Sequence, residues 1–170
     1  MNQNPIRGTS RLAAFILASG ILFIGAASKA AETRDDHEDA ASLVGTWRIT
    51  AQGVNCSTGQ PIGKPFQSLL SFALGGTETD TTVTTVLLPA VRSPGHGVWS
   101  AQGGRTYSTS STAFITHDGV LVQTQTVTQF IEMEEDDLYT STAKVEFFDL
   151  SGALLRTGCA TAVGHRFSLR

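Results

Sequence analysis

The segment from Arg92 to Trp99, Arg-Ser-Pro-Gly-His-Gly-Val-Trp, combines more groups able to do chemistry than any other stretch. A histidine titrates near neutral pH and can act as a general acid or base. A tryptophan ring offers a large apolar surface to a ligand. One interpretation is a loop at the mouth of a binding site, with His96 as acid/base and Trp99 as the ligand platform. The plainer interpretation, favoured here, is a Pro-Gly turn into a strand whose Trp99 belongs to the core.

Other reactive side chains do not have the spacing that catalysis or metal binding requires. His96, His117 and His165 would bind a metal only if three separate strands brought them together. Glu132 and Asp149 have the chemistry of a glycosidase carboxylate pair, but both lie near predicted turns, where a solvated role is expected. No Gly-X-Ser-X-Gly nucleophile motif is present. We therefore predict no catalytic residue, no metal and no cofactor, and leave catalysis as an open alternative.

The elements that would position these groups are strands. Short runs of β-type residues alternate with Gly, Pro and Asp turn signals such as Asp118-Gly119. There are eight such runs, at residues 43–54, 66–74, 77–88, 96–102, 106–117, 120–134, 138–149 and 153–165. Short connections force neighbouring strands to pair antiparallel, and closure removes the exposed edges. The chain is predicted to be all-β, an eight-stranded antiparallel up-and-down barrel, with little helix outside the N-terminal segment.

Alternation in the seventh run indicates which side chains face the barrel interior. Charged Lys144 and Glu146 mark its outer face. The inner face then carries Tyr139, Ser141, Ala143, Val145 and Phe147. A barrel of eight strands is just wide enough to hold side chains or one small ligand. The candidate ligand-lining residues are Trp99, Tyr107, Tyr139, Ala143, Val145 and Phe147.

The sixth run is compatible with two registers. In one, polar and apolar side chains share the inner face, which suits a partly polar cavity; this set is Leu121, Gln123, Gln125, Val127, Gln129 and Ile131. In the other, Val120, Val122 and Phe130 face inward and the glutamines face solvent. A one-residue slip exchanges the two faces, so both registers remain open.

The chain has two cysteines, Cys56 and Cys159, which follow the first run and lie within the last run. A disulfide is expected in an oxidising compartment; the alternative is two separate buried thiols. In a closed barrel the first and last strands are neighbours, so a bridge would join them at the seam. No His or Cys sits beside either cysteine at metal-ligand spacing.

The N-terminus has the layout of a secretory signal. Arg7 and Arg11 precede an apolar run from Leu12 to Ala27, which ends at Ser28-Lys29-Ala30. We predict a signal peptide over residues 1–30, cleaved after Ala30, with an uncleaved anchor as the alternative. Residues 31–42 are charged and predict a disordered acidic leader, and the barrel domain is placed at 43–167. The protein is expected to be exported, either periplasmic or secreted.

Charge limits the range of partners. The whole chain has a net charge of −3, and without the three basic residues of the signal nine basic and fifteen acidic residues leave −6. An acidic protein without a Lys/Arg cluster is a poor candidate for nucleic acid or an anionic membrane. We expect no nucleic acid partner and no membrane insertion after signal cleavage. The sequence does not indicate an oligomeric state.

At Gly45-Thr46-Trp47 the chain resembles the lipocalin and wider calycin families, which begin the first strand of an eight-stranded barrel with Gly-X-Trp. The resemblance covers roughly residues 43–167. It implies that Trp47 packs at the closed end of the barrel against an arginine near the last strand, and Arg166 matches that position. These two roles are structural. The Thr-Asp-aromatic signature of larger lipocalins is not recognisable, so the chain resembles an outlying member.

The resemblance implies that a small, often apolar ligand binds inside the barrel. The first hypothesis is therefore an exported protein that binds a small, partly apolar molecule in a barrel cavity. The alternatives are a barrel enzyme of the cyclase or isomerase type, and a non-catalytic structural or partner-binding envelope protein. An open interior favours the first, a cavity that encloses a titratable group the second, and a filled interior the third.

Overall fold

The structure, a computed structural model, describes residues 43–84 and 87–169. The predicted signal peptide over residues 1–30 and the predicted leader over 31–42 lie outside this part. Within the described ranges, no helix has the length and apolar character needed to cross a membrane.

Every secondary-structure element in the described ranges is a strand. The nine strands are β1 (Gly45–Val54), β2 (Pro61–Phe72), β3 (Thr77–Val83), β4 (Val91–Arg92), β5 (Gly95–Gly103), β6 (Thr106–His117), β7 (Val120–Glu135), β8 (Leu138–Phe148) and β9 (Leu154–Arg166). The eight longer strands alternate in direction because tight turns join most of them, whereas β4 runs in the same direction as β5. In the turn between β6 and β7, Asp118 and Gly119 both have positive φ, 51° and 78°, as a two-residue hairpin turn requires.

Eight of the strands form a closed antiparallel barrel. Pairing runs from β6 through β5, β3, β2, β1, β9 and β8 to β7, and β7 pairs back with β6. Strand β1 pairs with β9 from Trp47–Arg166 to Val54–Cys159. This pairing closes the barrel between its first and last strands. The two-residue β4 lies beside β5 on the same edge of β6. The predicted eight-stranded up-and-down barrel is confirmed.

Most strand boundaries differ from the sequence expectation by two residues or fewer, and the larger differences are in β2, β3 and β4. Strand β2 begins at Pro61 instead of residue 66, since Val54 and Gly53 of β1 pair with Pro61 and Ile62. Proline is tolerated there because β3 pairs with β2 only from Gln67 onward, which leaves this stretch as an edge. Strand β3 ends at Val83 instead of residue 88, and β4 was expected to be part of a turn-rich connection.

On β7 and β8 the inward-facing side chains are the mixed polar and apolar sets described for the sixth and seventh runs. On β8, Tyr139 and Ser141 are buried and Lys144 is exposed. On β7, Ile131 and Gln125 are buried and Phe130 is 48% exposed. This excludes the register in which Phe130 faces the interior.

The two ends of the barrel differ. The closed end, where β1 begins and β9 ends, holds a large apolar cluster that we call the aromatic core. Its members are Leu43, Trp47, Ile49, Ala51, Leu70, Phe72, Trp99, Tyr107, Ile131, Met133 and Tyr139. The open end holds the β1–β2 loop, the β3–β5 connection, and the β6–β7 and β8–β9 turns. Only Leu87, Ile115 and Phe147 form a buried apolar cluster there. The space between the two clusters is where a site can form.

The packing around Trp47 at the closed end depends on Gly164 and Arg166. Tyr139 packs against Trp47, with ring centroids 4.8 Å apart. A Cβ at Gly164 would lie 2.5 Å from the Tyr139 ring, so only glycine lets the ring rest on the β9 backbone. Arg166 lies over Trp47 with its Cζ 4.3 Å from the ring centroid.

Candidate ligand-binding site

A cavity of about 320 Å³ occupies the barrel between the aromatic core and the open end. It reaches the surface at the open end, where exposed Ile62 and Lys64 belong to its lining. A volume of this size lies at the lower end of the range for small-molecule sites, about 300–1,000 Å³. The interior is therefore not filled by side chains.

Small side chains on β8 and β9 create this space. Gly158, Ala160 and Ala162 follow one another on the inner face of β9, and Ala143 lies beside Ala160 on β8. A Cβ at Gly158 would meet no atom within 4 Å. Larger apolar side chains complete the lining; these are Ile49, Val54, Ile62, Phe66, Leu70, Leu87, Val127, Val145 and Phe147. Most of the cavity surface is thus apolar.

Among the polar residues that also line the cavity, four surround a buried ion pair, and we call them the polar wall: Asp80, Arg92, Ser111 and Gln125. The Arg92 guanidinium donates to both Asp80 carboxylate oxygens, from Nη1 to Oδ1 at 2.6 Å and from Nη2 to Oδ2 at 3.0 Å. The side chains are only 4% and 7% exposed. Each charge is neutralised by the other, so the wall is polar without a net charge.

Hydrogen bonds fix the orientation of the glutamine in this wall. Arg92 Nε donates to Gln125 Oε1 at 2.5 Å, and only the oxygen of the amide can accept that bond. The Gln125 amide nitrogen takes no part in this bond, and an amide nitrogen can only donate. Two hydroxyls also donate to the Asp80 carboxylate, Ser111 Oγ to Oδ2 and Thr82 Oγ1 to Oδ1, each at 3.3 Å.

The distinctive Arg92–Trp99 segment builds this wall instead of forming a catalytic loop. A Cβ at Gly95 would clash with Asp80 Oδ2, and one at Gly97 would clash with the β6 backbone at Ser110. Both glycines therefore give the space that lets β5 pass close to the ion pair and to β6. His96, between them, is exposed on the outer face.

A second buried acid lies behind the polar wall. Glu78 is two residues from Asp80 on the inner face of β3 and is 2% exposed. Among the described residues neither of its carboxylate oxygens has a hydrogen-bond partner. Burial raises the pKa of Glu78 to about 7, the nearby Asp80 charge adds to the rise, and the Thr109 and Ser111 hydroxyls oppose it. Glu78 does not line the cavity.

Tyr139 is near Glu78, and its hydroxyl likewise has no partner within the described ranges. Burial, and then the Glu78 charge, raise the pKa of this phenol. Burial therefore favours the neutral form of both the Glu78 carboxyl and the Tyr139 phenol.

The six predicted ligand-lining residues divide into two groups. Ala143, Val145 and Phe147 line the cavity. Trp99, Tyr107 and Tyr139 instead pack in the aromatic core of the closed end and are not part of the cavity lining. Trp99 meets Phe72 and Tyr107 edge-on at centroid distances of 6.1 and 5.9 Å.

The other residues considered for chemistry do not come together. His96 is on the outer wall, while His117 and His165 lie at the open and closed ends respectively. Glu132 is in the closed half of β7, and Asp149 caps the β8–β9 turn through Ser151 and Ala153. The two carboxylates therefore cannot act as a pair.

Asp80, Arg92 and Glu78 were missed as interior residues. In strand β3 the acids alternate with threonine, a pattern that normally puts charges outside. The sequence signal for a buried ion pair was Arg92, which stands two residues before Pro94. No acid lies close to it in the chain to neutralise its charge.

The disulfide Cys56–Cys159 joins the β1–β2 loop to β9 at the open end, with the two Cα atoms 5.2 Å apart. It connects the first and last strands across the seam, as expected from the sequence. Cys159 also belongs to the cavity lining, so the bridge holds one side of the mouth.

No family model matches this chain, and no curated protein matches it either. What is established is therefore architectural: a closed, antiparallel, eight-stranded barrel consistent with a lipocalin-like fold, with an apolar cavity and one polar wall.

Proposed function

We propose that this protein is an exported, outlying lipocalin-like carrier that binds one small, uncharged, largely apolar molecule in its barrel cavity. The observation that carries the proposal is the cavity itself, kept open by Ala143, Gly158, Ala160 and Ala162. Larger side chains at these positions would have stabilised an empty barrel by filling it. The small residues are costly unless the space is used.

The polar wall indicates the chemistry of the ligand. The Asp80–Arg92 pair satisfies its own charges, so it neither attracts nor repels an ion strongly. Gln125 lines the cavity and its oxygen accepts from Arg92, so its amide nitrogen is the neutral donor that this residue can offer to a ligand oxygen. A molecule with an apolar body and a carbonyl or hydroxyl oxygen at one end fits this arrangement.

Catalysis has less support than binding. The ionisable groups of the cavity lining are Asp80, Arg92 and Lys64. The first two are paired with each other, and Lys64 is exposed at the mouth. Glu78, the buried acid with a pKa near neutrality, is outside the lining.

A neutral apolar probe, N-phenyl-1-naphthylamine, tests the proposal directly. All nine described strands and both core clusters lie within residues 43–169, so a chain that begins at residue 31 keeps them and is used. We expect saturable fluorescence enhancement with one probe per chain. Ala160→Leu should weaken binding about tenfold or more, which corresponds to about 1.4 kcal/mol.

Thr157→Leu is the matched control, because Thr157 is on the outer face of the same strand. It should leave probe affinity unchanged while adding the same side chain. Equal effects of the two variants, or no saturable binding by the unmodified chain, would refute a cavity site. Native mass spectrometry of protein purified from its own source would then show whether a natural ligand is carried.

Export is tested separately. The bridged cysteines are typical of proteins that fold in an oxidising compartment. We expect the protein recovered outside the cytoplasm to begin at Ala31, as judged from its intact mass. A mass that retains the first 30 residues would favour the uncleaved anchor.

A further inference from the structure

More than half of the exposed large apolar side chains in the described ranges lie at the open end of the barrel. We call this set the apolar rim; its members are Ile62, Val83, Leu88, Val91, Val120, Leu121, Val122, Leu150, Leu154 and Leu155. The closed end exposes only Leu74, Phe167 and Leu169 among the residues described. Contiguous exposed apolar surface on one part of a protein marks an interaction site.

The β6–β7 hairpin shows what kind of environment the rim fits. Strand β7 pairs with β8 only from Thr124 onward, so Val120, Leu121 and Val122 project beyond it. They are consecutive and 64%, 38% and 39% exposed. Because successive strand residues point to opposite faces, both faces of this tip are apolar. Such a tip is suited to an apolar environment that contacts both of its faces.

The β8–β9 hairpin repeats the pattern with Leu154 and Leu155, which are consecutive and both exposed. Exposed Leu88 and Val91 belong to the β3–β5 connection, and Val91 pairs with Thr116 of β6. Because β4 pairs with β6 and β7 pairs with β8, the apolar tips follow one another around the opening. A fluid lipid surface can contact separate tips at the same time.

The charges favour the same orientation. The acidic turn Glu134–Asp137 lies between β7 and β8, at the closed end. At the open end, Lys64 and Arg156 balance Asp118 and Asp149. The rim thus faces a membrane without repulsion, while the acidic end points away from an anionic lipid surface.

In contrast to the sequence expectation of no membrane insertion, we propose that the open end is a lipid-docking surface, whose apolar rim enters the interfacial layer of a bilayer without crossing it and turns the cavity mouth towards the membrane. The net negative charge argues against electrostatic capture by anionic lipid, and this contact depends on apolar area instead. A ligand soluble in lipid would then enter the cavity at Ile62 without crossing water. Docking is measured without any ligand, so its outcome is independent of the cavity test.

Vesicle cosedimentation tests docking, again with the chain that begins at residue 31, since Leu12–Ala27 would itself bind lipid. The vesicles are pure dioleoylphosphatidylcholine, or a mixture with one quarter dioleoylphosphatidylglycerol. We expect association with both, little changed by high salt. Leu154→Ser/Leu155→Ser should lower the partition coefficient about tenfold, and Leu121→Ser/Val122→Ser should lower it similarly.

The control is Phe130→Ser/Val163→Ser, which removes two exposed apolar side chains from the outer wall, away from the rim. It should leave partitioning unchanged, and circular dichroism should show that all three variants are folded. The proposal is overturned by absence of cosedimentation, by an equal loss in the wall variant, or by association that salt abolishes. It is also overturned if light scattering shows a dimer that the rim variants dissociate, since a second copy would then cover the rim.

Discussion

The guanidinium of Arg166 covers the indole of Trp47, with Cζ 4.3 Å from the ring centroid. The same side chain donates from Nη1 to the Val44 carbonyl at 2.6 Å and from Nε to the Asp136 carbonyl at 2.8 Å. It therefore ties the start of β1 to the β7–β8 turn from the end of β9. A Cβ at Gly45 would lie 2.8 Å from Nη1, so the Gly-X-Trp motif and this arginine form one structural unit.

Arg166→Ala should destabilise the barrel by about 2–3 kcal/mol. The variant loses a cation–π contact, worth about 0.5–1 kcal/mol, and two hydrogen bonds from a charged donor to backbone carbonyls. Urea unfolding measures the loss. Probe affinity should not change, because Arg166 is remote from the cavity lining.

Arg48→Ala is the matched control for this prediction. Arg48 also covers an aromatic ring, that of Phe167 at 5.1 Å, but on the exposed surface. Its removal should cost less than about 1 kcal/mol. If the two variants lose equal stability, the closed-end role of Arg166 is wrong.

The barrel could be predicted from sequence because its signals are local. Alternation in β8 separated Tyr139 from Lys144, and tight turns such as Asp118-Gly119 fixed neighbouring strands as antiparallel. Cys56 and Cys159 became neighbours once the count of eight strands closed the sheet. Each of these inferences needs only period-two spacing and short connections.

The polar wall could not be predicted in the same way. Asp80 and Arg92 lie in different elements and meet only through the path of the β3–β5 connection. The alternation of strand side chains would place a charged β3 residue on the outer face. That expectation holds for an unpaired charge, but Asp80 is paired with Arg92. Trp99 was an equally difficult case, since a large aromatic ring suits both a ligand platform and a core, and local spacing does not distinguish them.

Asp80→Asn should cost about 3–5 kcal/mol in unfolding free energy. The substitution keeps the shape but leaves the Arg92 guanidinium buried without its counter-charge, which is the costly way to break such a pair. Thermal and urea unfolding measure the loss. The double variant Asp80→Asn/Arg92→Met should recover much of it, since neither charge then remains buried. A double variant that loses the sum of the two single losses would show that the side chains are not coupled.

Cys56→Ser and Cys159→Ser should each lower stability by the same amount, because either one opens the same bridge. The enclosed loop spans 103 residues, for which chain entropy predicts up to about 4.7 kcal/mol. Guanidinium unfolding of the two variants, and of the reduced unmodified chain, gives three values to compare. Clearly unequal losses would count against a shared bridge.

Glu78 should make stability fall as pH rises through the weakly acidic range. Its folded pKa is about 7 against an ordinary value of 4.5, so between these values the folded state keeps a proton that the unfolded chain releases. The stabilising contribution is complete below about pH 4.5, declines up to about pH 7, and is then lost, for a total of about 3 kcal/mol. Asp149, whose pKa is lowered by the Ser151 and Ala153 contacts, acts only at lower pH.

Glu78→Gln isolates this effect, because glutamine has nearly the same shape and does not titrate. Urea unfolding between pH 5 and pH 8 should show a declining free energy for the unmodified chain and a nearly level one for the variant. The variant should therefore gain on the unmodified chain as pH rises, whatever its absolute stability. Parallel curves would mean that folded Glu78 has already lost its proton below pH 5. The charge of its carboxylate would then be compensated inside the barrel.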